Sequence, residues 1–480
     1  MKRAQPPKVG FAKVKVTEAG DLGTHGVHDD LYARLLYLHS ADGPSLIISL
    51  DDMGLTPGRS IAVKSRLAKA CGIPSHRTAI FYSHTHSGMD FKAVPLARLL
   101  ARGARQARKA AVPAKVAYRR VDVGHRYSVN RRAQVGHGLG AVSIIFNRNL
   151  AVDLKKGREE AGAQVRDFIV NRNNIWGTTY LNPELDAKWP DRPLSRKQAA
   201  LLQRLPSKIY LDGPVDPHLE WLGFRTPRGR WLGSIIRFSA HSVVWRKAIT
   251  KMISADYPGV FAAAVEQATG DAPALFVNGP CGNLKPLYTV NSEAEMNRVG
   301  ASLARELLRG RTALRWQPLE RVLFACRKES FPVHADVRKY AGRWPVAKAA
   351  ARFTALARRG DDPAAMKAAL DWNLRCWGND DASASWRRPT ISLPFHLIAF
   401  NDIGLVGLPT EVWCEIGLAV KKACQGKRLL VGSLCDVATN YVPTPGALPL
   451  GGYEAVNSML EESAGDRFAA IGAALVEEHL

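Results

Sequence analysis

Apolar runs of strand length alternate with amphipathic stretches along most of the chain. Residues 8–52 pass between extended and turn segments, and "PSLIISLDDMG" reads as a buried strand running into an acidic turn. "SIAVKSRLAKACGI" has helical spacing, and "RTAIFYSHTHS" is the next strand. A helix rich in Ala, Leu and Arg is predicted from Pro95 to Ala111, with Arg98, Arg102, Arg105 and Arg108 on one face. Further on, "GRWLGSIIRFSAH" is a strand ending in a histidine, and "APALFVNGPCGNLKP" is a strand followed by a Gly/Pro turn. "HLIAFNDIGLVGLPTEVWCEIGLAVKKA" reads as strand, turn and helix. Strands alternating with helices predict an α/β fold. Residues 150–210 are polar and poor in periodicity and read as a loop-rich insertion. Residues 335–390, rich in Ala, Arg and Trp, read as a helical insertion. No Pro/Gly/Ser linker divides the chain, so one domain is expected over residues 1–480.

Composition narrows the class. A chain of 480 residues can bury a large core, and no apolar run reaches the length that spans a bilayer. The N-terminal "MKRAQPPKVGFAKVKV" is basic but lacks the apolar region and cleavage pattern of a secretion signal, which predicts a cytoplasmic protein. The seven cysteines are odd in number and form no CxxC pair, so they read as reduced thiols, not as a disulfide framework or a zinc finger. A formal net charge of +24 is compatible with nucleic acid, an anionic membrane surface, an anionic substrate or only a basic proteome. The arginine stripe has no interleaved aromatics and reads as a solvated face, so no nucleic-acid partner is expected.

The candidate chemistry begins at "FYSHTHSGMD". Residues two apart on a strand share a face, so His84 and His86 are expected to project together. Alone, such a pair is more often a structural accident than a site. Three other segments add to it. "FSAHS" places His241 where a strand runs out. "GLPTEVW" places Glu411 beside a helix start, after Thr410 as its N-cap. "TNYVPTP" places Tyr441 in a proline-rich loop. Two imidazoles, a carboxylate and an open position make up a common catalytic zinc site. Spacing alone does not nominate Tyr441, and Glu411 can equally be a carboxylate on a helix dipole.

Taken together, these segments resemble the catalytic domain of the neutral, non-lysosomal ceramidase family. "FYSHTHSG" is similar to the family's His-Thr-His-Ser-Gly strand end, and "FSAHSVVW…MISADYPG" to its second histidine segment. "LPTEVW" is similar to its Pro-x-Glu-Phe segment, "NYVPTP…GGYEA" to its tyrosine stretch and "SVNRR" to its Asn-Arg segment. The pieces occur in the family's order from about residue 8 to 460. The resemblance implies mixed β-sheets flanked by helices, with a zinc site at converging strand ends and loops. It implies zinc held by His84, His241, Glu411 and Tyr441, with His86, Arg131 and Tyr453 lining the reacting centre.

Two departures bear on the substrate. Where the family carries a serine held to be essential for ceramide cleavage, "CGNLKP" has Lys285. A lysine is ordinarily a protonated cation and is suited to a carboxylate, phosphate or sulfate, with Asn283 beside it as a second substrate contact. The chain also stops where the family's immunoglobulin-like C-terminal domain would begin. The expectation is therefore a zinc-dependent hydrolase that cleaves an N-acyl amide with metal-activated water, on a small anionic or lipid-like molecule other than ceramide. The alternatives are a hydrolase of another polar bond, such as a glycoside or ester, in an anionic small molecule, and a non-catalytic metal-binding paralogue.

Overall fold

The structure is a computed structural model that describes residues 6–135, 140–143, 213–288, 291–334, 355, 388–438, 440–448 and 453–480. The insertion expected over 150–210 lies wholly outside these residues, and that expected over 335–390 lies outside them except at 355 and 388–390, where Thr390 opens a strand.

Among the described residues, two five-stranded sheets and one four-stranded sheet carry the fold, all of mixed direction. In the first, Lys8–Lys15, Tyr32–Ser40 and Gly43–Leu50 run antiparallel, and Thr78–Tyr82 joins parallel to Gly43–Leu50. A parallel neighbour needs a crossover, and the helix Pro57–Cys71 supplies it. Thr56 caps that helix by accepting from Arg59 N–H, Pro57 fits its first turn, and Gly72 at φ 68° ends it in the left-handed conformation. The helix Ala93–Lys109 packs beside it. Its Leu96, Leu100, Ala104 and Ala107 are buried, whereas Arg98, Arg102, Arg105 and Arg108 are exposed. The solvated-face reading of that stripe holds.

The second sheet pairs Trp231–Phe238 parallel with Ala274–Asn278 through the helix Asp256–Ala268. The third pairs Ile403–Gly407 parallel with Arg428–Gly432 through the helix Cys414–Ala423, beside an eleven-residue antiparallel pair, Val322–Pro332 and Thr390–Phe400. One apolar cluster joins all three sheets: Leu36, Ile47 and Phe81 from the first, Leu222, Ile235 and Val277 from the second, and Phe400, Leu405 and Leu430 from the third. Strand alternation then sends Leu35 and Tyr37 to the opposite face, under the helices. Each sheet thus has one parallel pair, and the loops leaving the C-terminal ends of those strands carry His84, His241, Asn283, Glu411 and Tyr441.

Candidate metal centre

The Thr78–Tyr82 strand ends before the first histidine, and His84 adopts φ 63°. The simple alternation expected for His84 and His86 is therefore broken, because a left-handed residue turns the chain. The two rings are nonetheless adjacent, edge to face with centroids 4.9 Å apart. Backbone contacts stitch this loop to the next: His86 N–H donates to Ser242 O at 3.1 Å, and Ser242 Oγ–H donates to Ser83 O at 2.6 Å. Glu411 lies on a two-residue strand, Glu411–Val412, parallel to Tyr441–Val442, with Glu411 and Tyr441 in register. Thr410 does not cap a helix. It sits at φ 65°, and the helix begins at Cys414 after Trp413.

The hydrogen bonds fix which atoms face inward. His84 Nδ1 lies 2.8 Å from Met53 O, and His241 Nδ1 lies 2.8 Å from Cys281 O and 3.1 Å from Leu284 O. Carbonyls only accept, so each Nδ1 carries the proton and each Nε2 presents a lone pair. Both Nε2 atoms lie 3.1 Å from the same oxygen, Glu411 Oε2, and Tyr441 Oη is 3.3 Å from His241 Nε2. Burial, the main cause, and the Arg131 cation push His241 down to about 4, so its imidazole is neutral near pH 7. Burial opposes the Glu411 charge. Three buried lone-pair atoms facing one another call for a cation between them, and this N,N,O set with a phenol beside it suits zinc. The ligand atoms of His84, His86 and His241 also all lie within 4.8 Å of one another, so a three-histidine set is a second way to hold a metal here.

Solved structures share this architecture. The structure of neutral ceramidase from Pseudomonas aeruginosa superposes with a TM-score of 0.61 at 15% identity, covering 98% of this chain and 75% of that one. A ceramidase complexed with C2 superposes with a TM-score of 0.60 at 16% identity, covering 98% and 76%. The fold is that of the neutral ceramidases. No family model and no curated protein matches the sequence.

Within this ceramidase fold, the other residues singled out in the sequence take different positions. Arg131 is fully buried. Its Nε donates to Glu454 Oε1 at 2.6 Å, and its Nη2 donates to Gly282 O at 2.7 Å and Tyr441 Oη at 3.2 Å. Among the described residues, its buried Nη1 has no hydrogen-bond partner. Burial weakens this cation, but Glu454 and Tyr441 outweigh that and raise its pKa. His86 is half-buried, with Nδ1 3.1 Å from His84 O. Burial first, and then His84, His241 and Arg246, push it well below its ordinary range. Asn283 does not stand open to a substrate. It is fully buried, its Nδ2 donates to Glu415 Oε2 at 2.7 Å, and its Oδ1 accepts from Cys414 N–H at 3.0 Å. Tyr453 opens a short helix, Tyr453–Val456, but its side chain lies outside the described residues.

Lys285 is not on the surface. It lies in the strand Leu284–Pro286, opposite Val129, and is 2% exposed. Its ammonium stands 4.9 Å from the Tyr288 ring centroid, and among the described residues no carboxylate pairs with it. Burial, then Arg131, pushes it down to about 8. The sequence reading passed over two supports. Glu454, the residue after Tyr453 in "GGYEA", anchors Arg131 and is reached by Arg132 at 3.3 Å. The "DDMG" turn orients His84 through the carbonyls of Met53 and Asp52. An acidic turn directly after a buried strand was the visible signal for the second.

Proposed function

We propose that the protein is a zinc-dependent hydrolase that cleaves an amide bond in an N-acyl compound bearing an anionic group. The observation that carries this reading is the convergence of His84 Nε2, His241 Nε2 and Glu411 Oε2, with each histidine's Nδ1 held by a backbone carbonyl. His84, His241, Glu411 and Tyr441 hold the metal in this proposal. Zinc in such a site supplies Lewis acidity and lowers the pKa of a bound water toward about 7.

The protein's own groups divide the remaining work. Arg131 donates to Tyr441 Oη and so favours the phenolate form of that ligand. Its buried Nη1, without a hydrogen-bond partner among the described residues, is the donor proposed for a developing oxyanion. Losing one such donor costs on the order of a hundredfold in rate. His86 packs edge to face on the His84 ring and is proposed to carry a proton to the leaving amine. Tyr453 is proposed as a second donor to the oxyanion. Lys285 replaces a neutral hydroxyl with a buried cation that has no carboxylate partner among the described residues, which favours an anionic substrate over ceramide.

Turnover of a panel of N-acyl amides, esters and glycosides, in anionic and neutral pairs, tests the proposal. The expected result is chelator-sensitive cleavage of anionic N-acyl amides. Cleavage confined to glycosides or esters would move the protein to another bond class, and metal binding without turnover would make it a binder.

A further inference from the structure

A second cluster of titratable groups lies away from the metal centre, between the third sheet and the first. Cys326 and His396 stand directly opposite one another on the antiparallel strands Val322–Pro332 and Thr390–Phe400. His396 is fully buried, and its Nε2 lies 2.8 Å from Asp436 Oδ2. The same carboxylate accepts from Lys64 Nζ and, at Oδ1, from Ile80 N–H at 3.0 Å. His396 Nδ1 is also buried and has no hydrogen bond of ordinary geometry. Cys326 is partly exposed, unlike the buried Cys435 nearby.

We propose that Cys326 is a modification site for soft electrophiles, its thiolate held by His396 and His396 held by Asp436. This arrangement gives the imidazole one nitrogen committed to the carboxylate and one without a hydrogen bond among the described residues, on a residue paired across the ladder with Cys326. A metal is a poorer occupant. His396, Cys435 and Asp436 bring ligand atoms within 4.8 Å of one another, but the Lys64 ammonium already sits on the carboxylate. Burial also pushes the Cys435 thiol up and keeps it protonated. Charge in the cluster agrees with the geometry. Burial disfavours the imidazolium, yet Asp436 raises His396 to about 9. Burial opposes the Cys326 thiolate, but His396 and then Lys64 outweigh it and lower the thiol. With a peroxide as electrophile, the thiolate sulfur bonds one peroxide oxygen and the O–O bond breaks. Hydroxide leaves and takes the imidazolium proton as water, so that sulfur is oxidised by two electrons to the sulfenic acid and the peroxide is reduced.

Cys71 provides an internal control, because it is also partly exposed but burial pushes its thiol up. The full-length protein is treated with limiting iodoacetamide at pH 7 and the labelled peptides are mapped by mass spectrometry. Cys326 should alkylate about tenfold faster than Cys71, or more, because the thiolate is the nucleophile. His396→Gln should slow Cys326 by a similar factor and leave Cys71 unchanged, and dilute hydrogen peroxide followed by dimedone should tag Cys326. Equal rates at Cys326 and Cys71, or an unchanged Cys326 rate in a folded His396→Gln protein, overturns the proposal. If that variant does not fold, the rate ratio in the unmodified sequence decides alone.

Discussion

At the scale of single residues, the metal centre separates two histidines that the sequence placed side by side. His84 Nε2 contacts Glu411, whereas His86 has Nδ1 on the His84 carbonyl. Alanine at His84, His241 or Glu411 should therefore abolish stoichiometric zinc measured by elemental analysis, while His86→Ala should retain zinc and lose most turnover. Zinc loss in His86→Ala equal to that in His84→Ala would assign His86 to the ligand set. Lys285 gives a pH test. Its folded pKa lies near 8, below the ordinary value, so the cation proposed to hold an anion is present below pH 8 and is lost as the pH rises through it. Because kcat/KM reports the free enzyme, kcat/KM for an anionic substrate should fall above about pH 8, and Lys285→Met should remove that limb. Truncating one partner of such a buried charged contact costs roughly 2 to 5 kcal/mol, which should appear mainly as a raised KM for the anionic substrate. A profile that keeps its alkaline limb in Lys285→Met would place the titration elsewhere. Strand-end placement nominates the histidines and Glu411 in the sequence, whereas Tyr441 comes only from the resemblance to the ceramidase segments. The burial of Lys285 was not visible, because a three-residue strand flanked by turns has no period to read.

At the scale of elements, hydrophobic spacing foretold the long pieces and missed the short ones. The helix Ala93–Lys109 buries Leu100 completely and exposes Arg102 two positions on. Leu100→Ala should cost about 2 to 5 kcal/mol in denaturant unfolding, and Arg102→Ala should stay within roughly 0.5 kcal/mol. Similar costs for both would mean that the arginine face is covered. The turns that aim the ligands follow no such pattern. His84 and Thr410 are non-glycine residues at φ 63° and 65°, the second β-branched, with its hydroxyl buried and without a hydrogen bond. Sequence reading assigns threonine there to a cap or a strand, because its intrinsic preference is for negative φ. The surrounding ladder overrides that preference: Thr410 N–H donates to Val437 O at 2.6 Å, and Leu434 N–H donates to Thr410 O at 3.0 Å. The pairing of Glu411 with Tyr441 rests on two-residue strands thirty positions apart in the chain, and only the folded sheet brings them into register.

At the scale of the whole molecule, the site is assembled by distant parts of the chain and not by one local motif. His84 follows a strand of the first sheet, His241 a strand of the second, and Glu411 and Tyr441 follow strands of the third. The His84–Glu411 contact alone joins residues 327 positions apart. A metal bound at their junction therefore clamps all three sheets, whose shared apolar core lies behind the site. A ligand that binds only the folded state stabilises it by about 2.7 kcal/mol when present at a hundredfold excess over its Kd. Stripping metal with a chelator should lower the melting midpoint of the whole chain in one cooperative transition, and added zinc should restore it. A separate low-temperature transition on chelation would show that the metal holds only a local loop. Glu411→Ala should melt at the same midpoint with or without zinc. His86→Ala should keep the full zinc-dependent rise, since in the proposed roles it removes a proton carrier and leaves the clamp intact. The pair of variants separates holding the metal from using it, and it does so without reference to any substrate.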